Sequence, residues 1–147
     1  MVFLRRKAHF NAAHRLHNPD KSDHWNKEVF GKCNNEHGHG HNFKIEVVVA
    51  GKPREETGFI INLNVLGEII EEVVIEKCDH KNLNLDVDFL TGIIPSTENL
   101  AKAFYEQLEE PINKQTAGSG FLYAVKLRET EKNAADYCPH TSLNDTV

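Results

Sequence analysis

No stretch of the 147-residue sequence approaches the ~18 consecutive apolar residues that a membrane-spanning helix needs, and the opening MVFLRRKAHF lacks the long apolar core of a secretory signal. A soluble, cytoplasmic protein is expected. Excess positive charge is missing too: 17 Lys and Arg against 22 Asp and Glu give a formal net charge of -5, which leaves no basic field to hold a phosphate backbone. Neither nucleic acid nor membrane is therefore expected as a partner. Cysteine is scarce, and Cys33, Cys78 and Cys138 form an odd set that is not a disulfide framework in a chain without an export signal. Repeats, Pro/Ser linkers and low-complexity runs are absent before the last dozen residues, so the length predicts one domain over 1–133 and a polar, aperiodic, frayed tail over 134–147.

Histidine, by contrast, is abundant. Nine are present, and seven of them lie between His9 and His41, which makes this segment the place to seek chemistry. Val2 to His9 is rich in β-compatible residues and reads as a strand leading into Phe10–Leu16. Residues 17–38 lack periodicity and read as a long loop, a feature that in a compact domain is usually functional. From His39 the residues His39, His41, Phe43, Ile45, Val47 and Val49 share one parity, the mark of a strand. Gly51–Arg54 interrupts that run and Thr57–Ile61 resumes it, which predicts a hairpin. Apolar residues from Val65 to Val74 recur at helical spacing and predict an amphipathic helix over Asn64–Cys78. Ser96 and Glu98 then open a second helix that Pro111 closes, and Phe121–Arg128 reads as a final strand. The predicted order is β-β-β-α-α-β.

Strand residues two apart point to one face, so His39 and His41 can place two imidazoles on one ion. Gly38 and Gly40 beside them let another chain segment approach closely. His14, at the far end of the first strand, is the candidate third ligand, brought alongside by antiparallel pairing. Three neutral imidazoles with a fourth position left for water or substrate suit a catalytic zinc ion. His9, His17, His24 and His37 receive no role. Cys33 sits in a polar loop six residues before His39, and its thiolate can serve either as a fourth ligand or as a general base. Cys78 reads as a small buried hydrophobe on its helix. Asp79-His80 pairs a carboxylate with an imidazole, a device for proton transfer, although neighbours in sequence need not touch.

Taken together, Phe10-Asn-Ala-Ala-His14-Arg-Leu, Cys33-Asn-Asn-Glu-His-Gly-His39-Gly-His41-Asn, Asp79-His80-Lys-Asn-Leu and Pro95-Ser-Thr-Glu98-Asn-Leu resemble the 6-pyruvoyl-tetrahydropterin synthase family from about Arg6 to Glu129. The resemblance implies that His14, His39 and His41 bind one Zn2+ per subunit, and that Cys33 is the general base. Asp79 and His80 of a neighbouring subunit would complete its relay. It also implies that Thr97 and Glu98 bind the pterin ring and that Glu129 is a second acid of the active site. The implied fold is α+β, a T-fold whose antiparallel four-stranded sheet carries two helices on one face and closes with others into a β-barrel, in a homohexamer with inter-subunit sites. The implied reaction eliminates triphosphate from 7,8-dihydroneopterin triphosphate and rearranges the side chain, without a nicotinamide and with Mg2+ left open as an ion accompanying the triphosphate. Because the net charge is acidic, a local cation cluster of Arg15, Lys32 or Lys81 is expected near the mouth. The resemblance extends to the 6-carboxy-tetrahydropterin synthases of queuosine biosynthesis, and a non-enzymatic zinc module of the same fold is the competing reading. The sequence departs from the family pattern at His37, at Cys78 and in the tail after Glu129.

Overall fold

A computed structural model describes residues 1–140. Two long strands, β1 (Val2–His14) and β2 (His39–Gly51), form its backbone. They pair antiparallel in unbroken register, from Val2 opposite Gly51 to His14 opposite His39. β4 (Gly120–Arg128) pairs antiparallel with the other edge of β2, with one irregularity at Val48/Val49. A short β3 (Lys81–Asn82) joins β1 in parallel, and β5 (Ala134–Tyr137) closes the far edge against β4. The strand order is β3-β1-β2-β4-β5.

This α+β sheet has five strands, not four. The extra one lies at the start of the expected tail: Ala134–Tyr137 is polar and short, but β4 offers an unpaired edge and Ala135 and Tyr137 pack against the core. The remaining part of that expected tail, 141–147, lies outside the described residues. The predicted hairpin also fails. Both edges of β2 are already taken by β1 and β4, so Thr57–Ile61 has no edge to pair with. It crosses the end of the sheet instead, inserting Ile60 and Ile61 into the core while Ser119 Oγ donates to the Ile60 carbonyl at 2.8 Å.

The helices cover one face. The predicted 64–78 helix runs as α2 (Leu63–Ile70), a widened π turn at Glu71–Ile75 and α3 (Glu76–Cys78), with Leu66, Ile70, Val74 and Cys78 buried. α4 (Thr97–Thr116) starts at Ser96, whose side chain accepts from Asn99 N, a cap worth about 1 kcal/mol. It does not end at Pro111. Ile112 and Thr116 are fully buried beyond the proline, and burial of that last turn offsets the missing N–H. The predicted 17–38 loop holds a helix as well: α1 (Asp23–Phe30), capped by Ser22, whose Oγ accepts from Trp25 N at 3.1 Å. The Ser22-Asp23 pair is a start signal that the weak apolar periodicity obscured.

A candidate metal centre at the end of the core sheet

The register places the three histidines. Phe10 faces Phe43, Ala12 faces His41 and His14 faces His39; all six side chains share the helix-covered face. The stacked Phe10 and Phe43 rings, centroids 5.0 Å apart, form the apolar floor. On it the imidazole centroids of His14, His39 and His41 stand 4.6, 4.8 and 5.2 Å from one another. One nitrogen from each lies within 4.8 Å of the others, an arrangement that can hold a metal ion.

Electrostatics prepares these rings for a cation. His14 is fully buried, and its Nδ1 donates to the Pro95 carbonyl at 2.8 Å. That bond fixes the tautomer, because a carbonyl only accepts, and it leaves a lone pair on Nε2. Burial also holds His14 and His39 below the ordinary histidine pKa, which favours the neutral form that ligates. His14 Nε2 and His39 Nδ1 are buried without a hydrogen-bond partner. Orphaned nitrogens are costly, and a bound cation would satisfy them. The chain supplies one more group: Glu129 Oε1 lies 3.3 Å from His14 Nε2 and 3.7 Å from His41 Nε2.

At the β3 edge of β1, Asp79 Oδ1 accepts from Asn11 N at 2.8 Å, while its Oδ2 meets His80 Nδ1 at 2.9 Å. The two neighbours therefore do touch. His80 takes φ +60, a left-handed conformation that costs a non-glycine about 1–2 kcal/mol. It is held there by its N–H to the Asn11 carbonyl at 2.6 Å. The Asn11 N–H, and then the His80 ring, keep the Asp79 carboxyl below its ordinary pKa.

Comparison with known proteins gives this geometry a family. The family model for 6-pyruvoyl tetrahydropterin synthase matches residues 3–140. The chain belongs to that family. It is 44% identical over 144 residues to the 6-pyruvoyl tetrahydrobiopterin synthase of Drosophila melanogaster, covering 98% of this chain and 83% of the relative. The solved Caenorhabditis elegans 6-pyruvoyl tetrahydropterin synthase superposes with a TM-score of 0.84 at 37% identity, covering 93% of this chain and 94% of the other. The 6-carboxy-5,6,7,8-tetrahydropterin synthase of Bacillus subtilis is 28% identical over 143 residues, covering 92% of this chain and 84% of the relative.

The remaining candidates are spread over several elements. Cys33 lies in the 3-10 turn Gly31–Asn34 and is partly buried. Its carbonyl accepts from Leu16 N at 2.8 Å, and Asn34 Nδ2 donates to the Leu16 carbonyl at 2.9 Å. These bonds strap the thiol loop to the residues just after His14. Thr97 and Glu98 open α4, three residues or fewer from the Pro95 carbonyl that orients His14. Among the described residues no hydrogen bond or ion pair joins the Asp79–His80 pair to Cys33, and the His80 side chain is 82% exposed. Arg15 and Lys32 line one cavity of about 670 Å³ with Lys27; Lys81 lies elsewhere, on β3. All three cysteines are free of disulfides.

Two contributors were not read from the sequence. The Pro95 carbonyl is a backbone group with no residue-type signal. β5 is the other: it pairs with β4 up to Arg128, and just beyond, in a turn where Glu129 N donates to the Asn133 carbonyl at 3.0 Å, Glu129 is 16% exposed.

Proposed function

We propose that this protein is a zinc-dependent 6-pyruvoyl-tetrahydropterin synthase, a cytoplasmic lyase that eliminates triphosphate from 7,8-dihydroneopterin triphosphate and rearranges the side chain internally. The observation that carries the reading is the set of three imidazoles with nitrogens gathered at one point, those of His14 and His39 buried without a partner, in a chain of this family. His14, His39 and His41 would hold zinc. When bound, the ion supplies Lewis acidity to the substrate's side-chain oxygens and acidifies the adjacent C–H.

The other steps belong to the chain's own groups. The Cys33 thiolate accepts the proton from that carbon. Asp79 holds His80 by Nδ1, so Nε2 faces outward as the free relay atom, and the exposure of this imidazole suits work on a neighbouring subunit. A homohexamer built by closing such sheets into barrels would supply that neighbour and remove the exposed edges at β5 and along the part of β1 that β3 leaves unpaired. Thr97 and Glu98 bind the amino-pyrimidine edge of the pterin, a carboxylate being matched to two parallel N–H donors. Arg15 and Lys32 receive the triphosphate, with Mg2+ as its counter-ion, and Glu129 supplies a second acid beside the histidines.

Incubation with 7,8-dihydroneopterin triphosphate tests the reading: 6-pyruvoyl-tetrahydropterin is the expected product, whereas acetaldehyde with a 6-carboxy product would assign the chain to the other branch of the family. Cys33→Ala is expected to abolish turnover while zinc stays near one per subunit; His39→Ala is expected to empty the site. Loss of zinc in Cys33→Ala would instead make the thiol a ligand.

A further inference from the structure

We infer that the Glu129 carboxylate is itself the fourth ligand of the ion when no substrate is present, so that substrate enters by displacing a protein group and not merely water. This rests on the three-histidine metal reading above.

The distances to two of the three histidines match direct ligation. An ion with nitrogen ligands at about 2.0–2.1 Å and a carboxylate oxygen at about 2.0–2.2 Å, held tetrahedrally, sets the ligand atoms about 3.3–3.5 Å apart. Glu129 Oε1 stands 3.3 Å from His14 Nε2 and 3.7 Å from His41 Nε2 but makes no ion pair with His39, so completing the set needs a small shift of its turn toward that ring. A carboxylate that reached the ion only through a water would stand roughly 2 Å further out, given a bent angle at the water.

The chemistry of the contact agrees. His14 Nε2 presents a lone pair, because its proton is on Nδ1 facing the Pro95 carbonyl. It makes no hydrogen bond to the carboxylate oxygen in front of it. Two electron-rich atoms in a buried site repel each other unless a cation lies between them. Among the described residues, no donor hydrogen-bonds the Glu129 carboxylate, and at 16% exposure its polar neighbours are the rings of His14 and His41 themselves. The supports of the four groups also differ. The histidines sit on paired strands β1 and β2, whereas Glu129 begins the β4–β5 turn, tied by its N–H to Asn133. A ligand on a turn can withdraw while three on a sheet stay fixed.

Cobalt substitution tests this without substrate or turnover. Wild type and the isosteric Glu129→Gln are loaded with Co2+ alone; visible absorption is recorded, and Zn2+ affinity is measured by chelator competition. The expected result is a changed cobalt band position and intensity in Glu129→Gln, with zinc affinity lowered at least about tenfold. In Glu129→Ala, added acetate should restore part of the wild-type spectrum. An unchanged spectrum overturns the inference, whether or not affinity falls, because an outer-sphere carboxylate could alter affinity alone. Failure of wild type to take up metal would overturn the three-histidine reading as well, and the two failures are thereby told apart.

Discussion

Replacing Gly38 by alanine tests how tightly the β1–β2 register fixes the metal centre. Gly38 has φ +75, and an added Cβ would stand 2.9 Å from the His14 carbonyl oxygen and 3.4 Å from its carbon. Gly92 is the matched control: φ is +77 and nothing lies within 4 Å of its Cβ position. Left-handed backbone costs an alanine about 1–2 kcal/mol at either position. At Gly38 the obstacle is backbone, which cannot swing aside, so overpacking adds about 1–3 kcal/mol more. Relief of that contact must push His39 away from His14, its cross-strand partner. Metal sites tolerate only about 0.2 Å of ligand misplacement, and a loss of zinc affinity of about tenfold, or 1.4 kcal/mol, is expected. Urea unfolding of metal-free protein at fixed concentration measures the first effect, and chelator competition the second. If Gly38→Ala matches Gly92→Ala in both assays, the register argument is refuted. Gly40→Ala should be tolerated, because its Cβ would meet only the Ala12 carbonyl at 3.6 Å.

Cys78 is fully buried and burial pushes its thiol up to about 12, so at pH 8 iodoacetamide should label Cys33 in the native protein and reach Cys78 only after unfolding. Equal labelling rates by mass spectrometry would contradict the packing. The same shift destabilises the fold as pH rises above the ordinary thiol value of 9.0, where the unfolded chain ionises and the native one does not. Asp79 shifts the other way: the Asn11 N–H and then His80 favour its charged form. Its stabilisation is present above the ordinary carboxyl value of 3.8 and lost as pH falls through the lower native value. The thermal midpoint of Asp79→Asn should therefore lie below wild type at pH 6, with the gap closing in acid; a gap constant down to pH 3 would remove the role given to the Asn11 contact.

The alternation from His39 to Val49 was enough to place His39 and His41 on one face, and the amphipathic period from Val65 to Val74 was enough to predict the covering helix, because both are local signals carried by side-chain direction. Resemblance to the family supplied the roles proposed for Cys33, Asp79, His80, Thr97 and Glu98, which spacing alone left open. Thr57–Ile61 shows the limit of periodicity: its apolar residues fit a strand, but a strand needs a free edge and β2 had none left. Pro111 shows the same limit for punctuation, since burial of Ile112 and Thr116 carried the helix past a residue that usually ends one. What the sequence determined by itself was therefore the chemistry available and the face on which each element presents it. Only the tertiary structure decided which edges pair, that Pro95 orients His14, and that Glu129, just past the end of β4, comes to lie beside His14 and His41. These outcomes depend on contacts between residues far apart in the chain, whose free energy exceeds the local preferences of the residues that make them.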